Sequence, residues 1–211
     1  MRIFFACAIF LLTMGRCLAD TSAAISTAPQ GTPTPDPWKF CKDRFEVKYD
    51  KFKDETSIKP KSMRNGPRVK TKGGDDVIFW VTASYPGKQY DSQKPAKLSI
   101  VFFRLDVSQV KQEEIKEEHT GESKYKDCST LILMADDEKM DFGTLKYDAK
   151  ESFDSFTGFK YIDQTMTGPL TLEQLQKLAN AKKIEGELCE TTLEFQKDEY
   201  CDMHAILDFL K

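Results

Sequence analysis

Cysteines and histidines are the residues best equipped for chemistry here, and the chain holds six of the first and two of the second. Cys201-Asp202-Met203-His204 sets a thiol and an imidazole three positions apart, on one face if the segment is helical. Cys189 lies twelve residues earlier. Zinc takes thiolate and imidazole donors in a tetrahedron, so these three side chains form a conceivable ligand set. No C-x-x-C knuckle accompanies them, and an exported chain favours oxidised cysteines, so the expectation is no metal and no cofactor. His204 flanks an apolar helical stripe and reads as structural; His119 sits in a charged stretch and reads as solvated. A Ser-His-Asp site would have to use one of these two. The sequence has no G-x-S-x-G elbow, no P-loop and no G-x-G-x-x-G. Asp136-Asp137-Glu138 lacks the spacing of an EF-hand loop and reads as a hairpin turn. Paired carboxylates need no linear motif, which keeps a hydrolase built on carboxylates and a single histidine as the alternative reading.

Local charge supplies one more candidate. Between Lys59 and Lys72 stand Lys59, Lys61, Arg64, Arg68, Lys70 and Lys72 with no acid among them. That stretch could hold an anionic headgroup, a polysaccharide or a partner's acidic face. The plainer reading is a solvated hairpin around Asn65-Gly66 whose charges discourage edge pairing. Screening over about 8 Å at physiological salt leaves only close contacts effective.

The elements that must position these residues begin after a leader. Arg2, the apolar run Ile3–Met14 and the small residues at Cys17 and Ala19 have the layout of a cleavable signal peptide, Met1–Ala19. Twelve residues of helix span about 18 Å against a hydrocarbon core of about 30 Å, too short for a permanent span, and no later segment is longer. Removal of the leader leaves 29 basic and 34 acidic residues, a mature charge of −5. Nucleic-acid binding rests on clustered phosphate-neutralising cations, and this balance argues against it. Residues 20–37 are rich in Pro, Ser and Thr and read as a linker. Residues 38–211 are then a single domain with four cysteines, Cys41, Cys128, Cys189 and Cys201.

Within that domain Arg44–Tyr49 alternates, with Phe45, Val47 and Tyr49 on one face. The runs Val77–Val81 and Ile100–Phe103 fit strands covered on both faces. Leu131–Met134 and Met140–Phe142 read as a hairpin, and Leu145–Tyr147, Lys160–Met166 and Thr192–Phe195 as further strands. Gln109–Lys126 is charged and aperiodic, and reads as a mobile surface loop. Thr171 and Gln174 form a capping box ahead of a helix over Leu172–Lys183. A second helix covers Asp198–Leu210, with Tyr200, Met203, Leu207 and Leu210 as its apolar stripe. The expected class is α+β: predominantly antiparallel, sandwich-like β structure with two C-terminal amphipathic helices.

Leu131–Gly143 (LILMADDEKMDFG), Leu172–Glu187 (LEQLQKLANAKKIEGE), Leu193–Phe195 and Tyr49–Thr56 (YDKFKDET) together resemble a group of exported bacterial proteins in which an "ADG" hairpin precedes a "LAnAkkVEg" helix. The resemblance covers about two thirds of the mature chain. It implies a fold and a bacterial source, and it transfers no catalytic residue. Asp137 and Cys189 stand where that group would carry glycine.

Even-numbered cysteines in an exported domain favour disulfides, and four allow three pairings. Cys189 precedes a strand and Cys201 opens the final helix, so a strand turning back into its helix could bring them together. A cysteine at a glycine position also suggests a near partner. The expected pairs are therefore Cys189–Cys201 and Cys41–Cys128. The expected role is an exported, periplasmic or extracellular, non-enzymatic binding or assembly module, whose partner is an unknown protein or envelope component.

Overall fold

The computed structural model describes residues 38–72, 76–109 and 123–211. The leader and linker segments, His119 and the middle of the charged stretch lie outside the described residues.

Every strand pairing is antiparallel. A short helix α1 (Lys39–Lys42) leads into β1 (Phe45–Asp50) and β2 (Glu55–Pro60), and a single 3-10 turn at Met63–Asn65 precedes β3 (Arg68–Lys72). Then come β4 (Val77–Pro86), β5 (Lys97–Gln109), a short helix α2 (Lys124–Asp127), β6 (Thr130–Ala135), β7 (Glu138–Thr144), β8 (Lys146–Asp154) and β9 (Phe159–Leu170). Helix α3 (Leu172–Asn180), the hairpin β10 (Ile184–Leu188) with β11 (Thr191–Glu194), and helix α4 (Lys197–Phe209) complete the chain. The expected α+β class is the observed one. Its strands join in one curled, hydrogen-bonded path, β7-β6-β10-β11-β3-β4-β5-β9-β8, with β1 and β2 branching from β4.

The branch makes the sheet curl. Strand β4 gives its first two residues to β3 and its last four to β2, along the same edge. Beyond that edge β2 continues to β1 and β3 to β11, so the sheet divides into two diverging wings. The segment between β2 and β3 is therefore a connection along one edge, and the expected hairpin around Asn65-Gly66 is not formed. Gly66 is demanded by space rather than by its backbone angles: a Cβ there would lie 2.4 Å from both the Ile78 and Trp80 side chains. The Trp80 indole N–H donates to the Met63 carbonyl at 3.1 Å, fixing the 3-10 turn on top of β4.

Val77–Val81 are all buried, as are Ile100–Phe103, in keeping with two-sided coverage. Phe79 packs its ring against Phe102 and Phe195, while Trp80, pointing to the opposite face of β4, packs against Phe45. Strand β1 departs from its expected alternation. Only Phe45 is buried and Val47 is half exposed, because β1 is an outer strand covered at its first residue alone.

Helix α3 begins with the expected box: Thr171 Oγ1 accepts from Gln174 N at 3.1 Å, and Gln174 Oε1 accepts from Thr171 N at 2.9 Å. It stops at Asn180 rather than Lys183, and the chain turns into β10, which the sequence reading did not separate from the helix. The Asp136–Asp137 turn, expected between β6 and β7, holds that junction. Asp136 adopts φ 53°, its carboxylate accepts from the backbone N–H of Lys182 and of Lys183 at 3.0 Å, and its own N–H donates to the Lys183 carbonyl.

Candidate functional site

The four cysteines of the domain form two disulfides, in a pairing other than the expected one. Cys41 joins Cys201 and Cys128 joins Cys189, with Cα–Cα distances of 5.9 and 5.8 Å. The hairpin explains the correction. Cys189 and Glu190 make the two-residue turn at one end of β10 and β11, and the whole of β11 then separates Cys189 from the start of α4. Cys189 has φ 56°, the left-handed region, which is why glycine suits this position and why the turn presents the sulfur to Cys128 just before β6. Cys201 instead faces α1 across the helix seam.

That seam collects most of the candidate chemistry. Trp38 stacks on His204 with ring centroids 4.2 Å apart and planes 10° off parallel. Cys41 is bonded to Cys201, Lys42 pairs with Asp208, and Phe45 sets its ring against Phe209. Burial holds His204 below its ordinary pKa, and the Ala179 carbonyl of α3 accepts from its ring. The C-x-x-H pair thus has its sulfur in a disulfide and its imidazole against an indole. Cys189 lies at the far end of the last hairpin from both, so the three conceived zinc ligands are not brought together.

At the centre of the seam lies a feature absent from the expectations. Glu199 and Asp202, three residues apart on α4, are 1 % and 0 % exposed. Asp202 accepts from Arg44 Nη1 at 3.2 Å, and Glu199 closes a second capping box by accepting from Gln196 N at 2.6 Å. Each keeps one buried oxygen, Glu199 Oε1 and Asp202 Oδ2, with no hydrogen-bond donor. Burial drives both carboxyls up to about 7, and Arg44 offsets only part of that cost. Sequence reading missed the pair because it followed apolar residues alone. The signal was there: Glu199, Asp202 and Ile206 repeat at helical spacing, and all three are buried.

The basic segment is dispersed along the β2–β3 edge. Arg64 Nη2 donates to both carboxylate oxygens of Asp163 at 2.9 and 3.0 Å and its guanidinium lies over the Tyr161 ring, Arg68 pairs with Asp76, and Lys70 pairs with Glu194 at 2.9 Å. Lys59, Lys61 and Lys72 are exposed, and among the described residues none of them has an ion-pair partner. The six cations of the sequence run thus amount to three locally balanced charges and three solvated ones.

Of the stretch expected to be a mobile loop, Gln109 closes β5 and Ser123 caps α2, both inside regular structure. Tyr125 of α2 is fully buried and its hydroxyl meets Thr191 Oγ1 at 2.9 Å. Beside it, Gln164 bridges Ser123 and Asp106, and Asp106 in turn pairs with Arg104 at 2.8 Å. This network, buried at Gln164 and Ser123 and reaching half-buried Asp106 and Arg104, ties β5, β9 and α2 together.

Exposed apolar side chains mark the other end of the scale. Phe156, in the turn between β8 and β9, is 97 % exposed, and Phe52, in the turn between β1 and β2, is 90 % exposed. The Phe156 turn is well defined. Asp154 accepts from the N–H of Phe156 at 2.9 Å, Gly158 takes φ 71°, and the Gly158 N–H donates to the Asp154 carbonyl at 2.8 Å. Among the described residues no helix is long and apolar enough to cross a membrane.

Compared with protein-family models, with curated proteins and with solved structures, the chain matches none.

Proposed function

We propose that this chain is an exported, non-enzymatic binding or assembly module of the cell envelope or extracellular space, which contacts a protein or envelope component through its aromatic hairpin tips. The observation that carries this reading is Phe156, an almost fully exposed aromatic side chain on a turn whose backbone is already fixed by Asp154 and Gly158. Aromatic anchors contribute heavily to contact surfaces, and a turn ordered beforehand reduces the entropy lost on association. Phe52 offers a second such tip, with Lys51 5.1 Å from its ring centroid.

Among the described residues, the cysteines, His204 and the buried acids of α4 are meanwhile engaged in holding the fold. The sulfurs are in disulfides, His204 is stacked on Trp38, and the paired carboxylates Glu199 and Asp202 are sealed beneath the seam. A general acid or base must reach the proton it moves, and these two cannot touch a substrate in the closed fold. The two disulfides accord with life in an oxidising compartment.

The test uses the full chain secreted by an exporting host, purified and immobilised, and challenged with envelope and medium fractions. Wild type should retain a defined component, and Phe156→Ser should lose it without a change in melting temperature. Retention unchanged in both Phe156→Ser and Phe52→Ser would refute contact through the tips. Hydrolysis of ester, peptide or glycoside probes that disappears in Asp202→Asn would favour the carboxylate hydrolase instead.

A further inference from the structure

We propose that the buried acids Glu199 and Asp202 keep one proton in the folded chain and so make the α1–α4 seam an acid-stabilised lock that loosens as that proton is lost. The argument begins with counting. Two carboxylates are buried three residues apart on α4, and among the described residues one guanidinium, Arg44, pairs with them, at 3.2 Å from Asp202. Both acids ionised would leave a net negative charge away from water, together with two unmet acceptor oxygens. One proton removes the excess charge and turns one of those acceptors into a donor.

Among the described residues no other group shown relieves the excess. Asp198, at the exposed start of α4, adds negative charge and draws Arg44 outward, with 3.8 Å between them. From α1, Lys42 is committed to Asp208, and Lys39 has no ion pair with either acid. On β4 the one ionisable side chain is Tyr85, at the far end of the strand against Tyr90. On α3, Glu173 and Lys177 pair with each other, and Lys177 also with Glu138. On α4 itself His204 lies against Trp38, where burial favours its neutral form.

The sign follows from the raised carboxyls. Their ordinary values are 4.5 and 3.8, and burial lifts both to about 7. Below the ordinary values folded and unfolded chains both hold the proton, and the contribution to stability is complete. Between there and about 7 only the folded chain holds it, so stability falls as pH rises. Above that the contribution is gone. What loosens is the seam: the Trp38–His204 stack, the Phe45–Phe209 contact and the Arg44 pairing, with Cys41–Cys201 keeping the two elements tethered.

The experiment measures amide hydrogen exchange in Trp38–Arg44 and Lys197–Phe209 of the full oxidised chain from pH 4.5 to 8.5, corrected for intrinsic exchange. The same samples report the carboxyl carbon shifts of Glu199 and Asp202. In wild type the opening constant should rise by up to about tenfold per pH unit towards neutrality and then level off, with one carboxyl titrating near neutral pH. Asp202→Asn or Glu199→Gln should flatten that rise. A pH-independent opening constant, two carboxyls titrating below pH 5, or an unchanged slope in both variants would overturn the proposal. If Asp202→Asn does not fold, the wild-type titration and Glu199→Gln still decide.

Discussion

Replacing Cys41 and Cys201 together by alanine cuts the longer of the two covalent links, which spans 160 residues of sequence. A cross-link stabilises chiefly by restricting the unfolded chain, and the loop-entropy relation gives about 5 kcal/mol for this separation against about 4 for the 61 residues between Cys128 and Cys189. In a domain of this size each kcal/mol moves the melting temperature by about 2–4 °C, so loss of the longer link should lower it by about 10–20 °C. The native loss adds to this, because Cys41 is fully buried and its neighbours Lys42, Arg44 and Phe45 all rely on the same seam. Thermal and urea unfolding should find the oxidised wild type most stable, the Cys128→Ala/Cys189→Ala pair next and the Cys41→Ala/Cys201→Ala pair last. The reasoning fails if the Cys41→Ala/Cys201→Ala pair lies within about 1 kcal/mol of wild type, since the loop-entropy relation assigns this link about 5 kcal/mol. Non-reducing peptide maps that join Cys189 to Cys201 would refute the seam outright.

Other consequences concern single positions. Gly66→Ala should cost about 1–3 kcal/mol by overpacking, read by urea unfolding, because its Cβ collides with Ile78 and Trp80. Gly143→Ala makes the control: its φ is 64° with open space around the missing Cβ, so only backbone strain of about 1–2 kcal/mol should appear. Thr171→Ala removes the N-cap of α3 and should cost about 1 kcal/mol, and Thr171→Ser should retain most of it.

The parts of the fold that were legible in the sequence are those written in apolar periodicity. The runs in β4 and β5 announce strands buried on both faces, and Thr171 with Gln174 announces the start of α3. Strands β2 and β3 were illegible because their order comes from pairing to β4, while their own residues are mostly charged or hydroxyl-bearing around a single aliphatic position each, Ile58 and Val69. Strand β10 was hidden because Ile184–Leu188 continues the charged pattern of the helix before it, and the break is made by Asp136 from another hairpin. The disulfides show the same limit. Proximity in sequence favoured Cys189 with Cys201, but a two-residue turn sends the first cysteine to one end of the sheet and the helix carries the second to α1. For the candidate site, neither the Phe52 nor the Phe156 tip was read from the sequence, and the buried acids could be found only by giving Glu199 and Asp202 the same weight as apolar residues in the helical stripe.

Whether the chain works by contact through its tips is decided most directly by placing a photo-reactive amino acid at position 156 of the full-length protein in an exporting host. Irradiation followed by mass analysis should give one dominant cross-linked species from position 156, and none from the solvated control position Lys59. Equal, diffuse labelling from both positions, in cells where the chain is exported and folded, would contradict the proposed role.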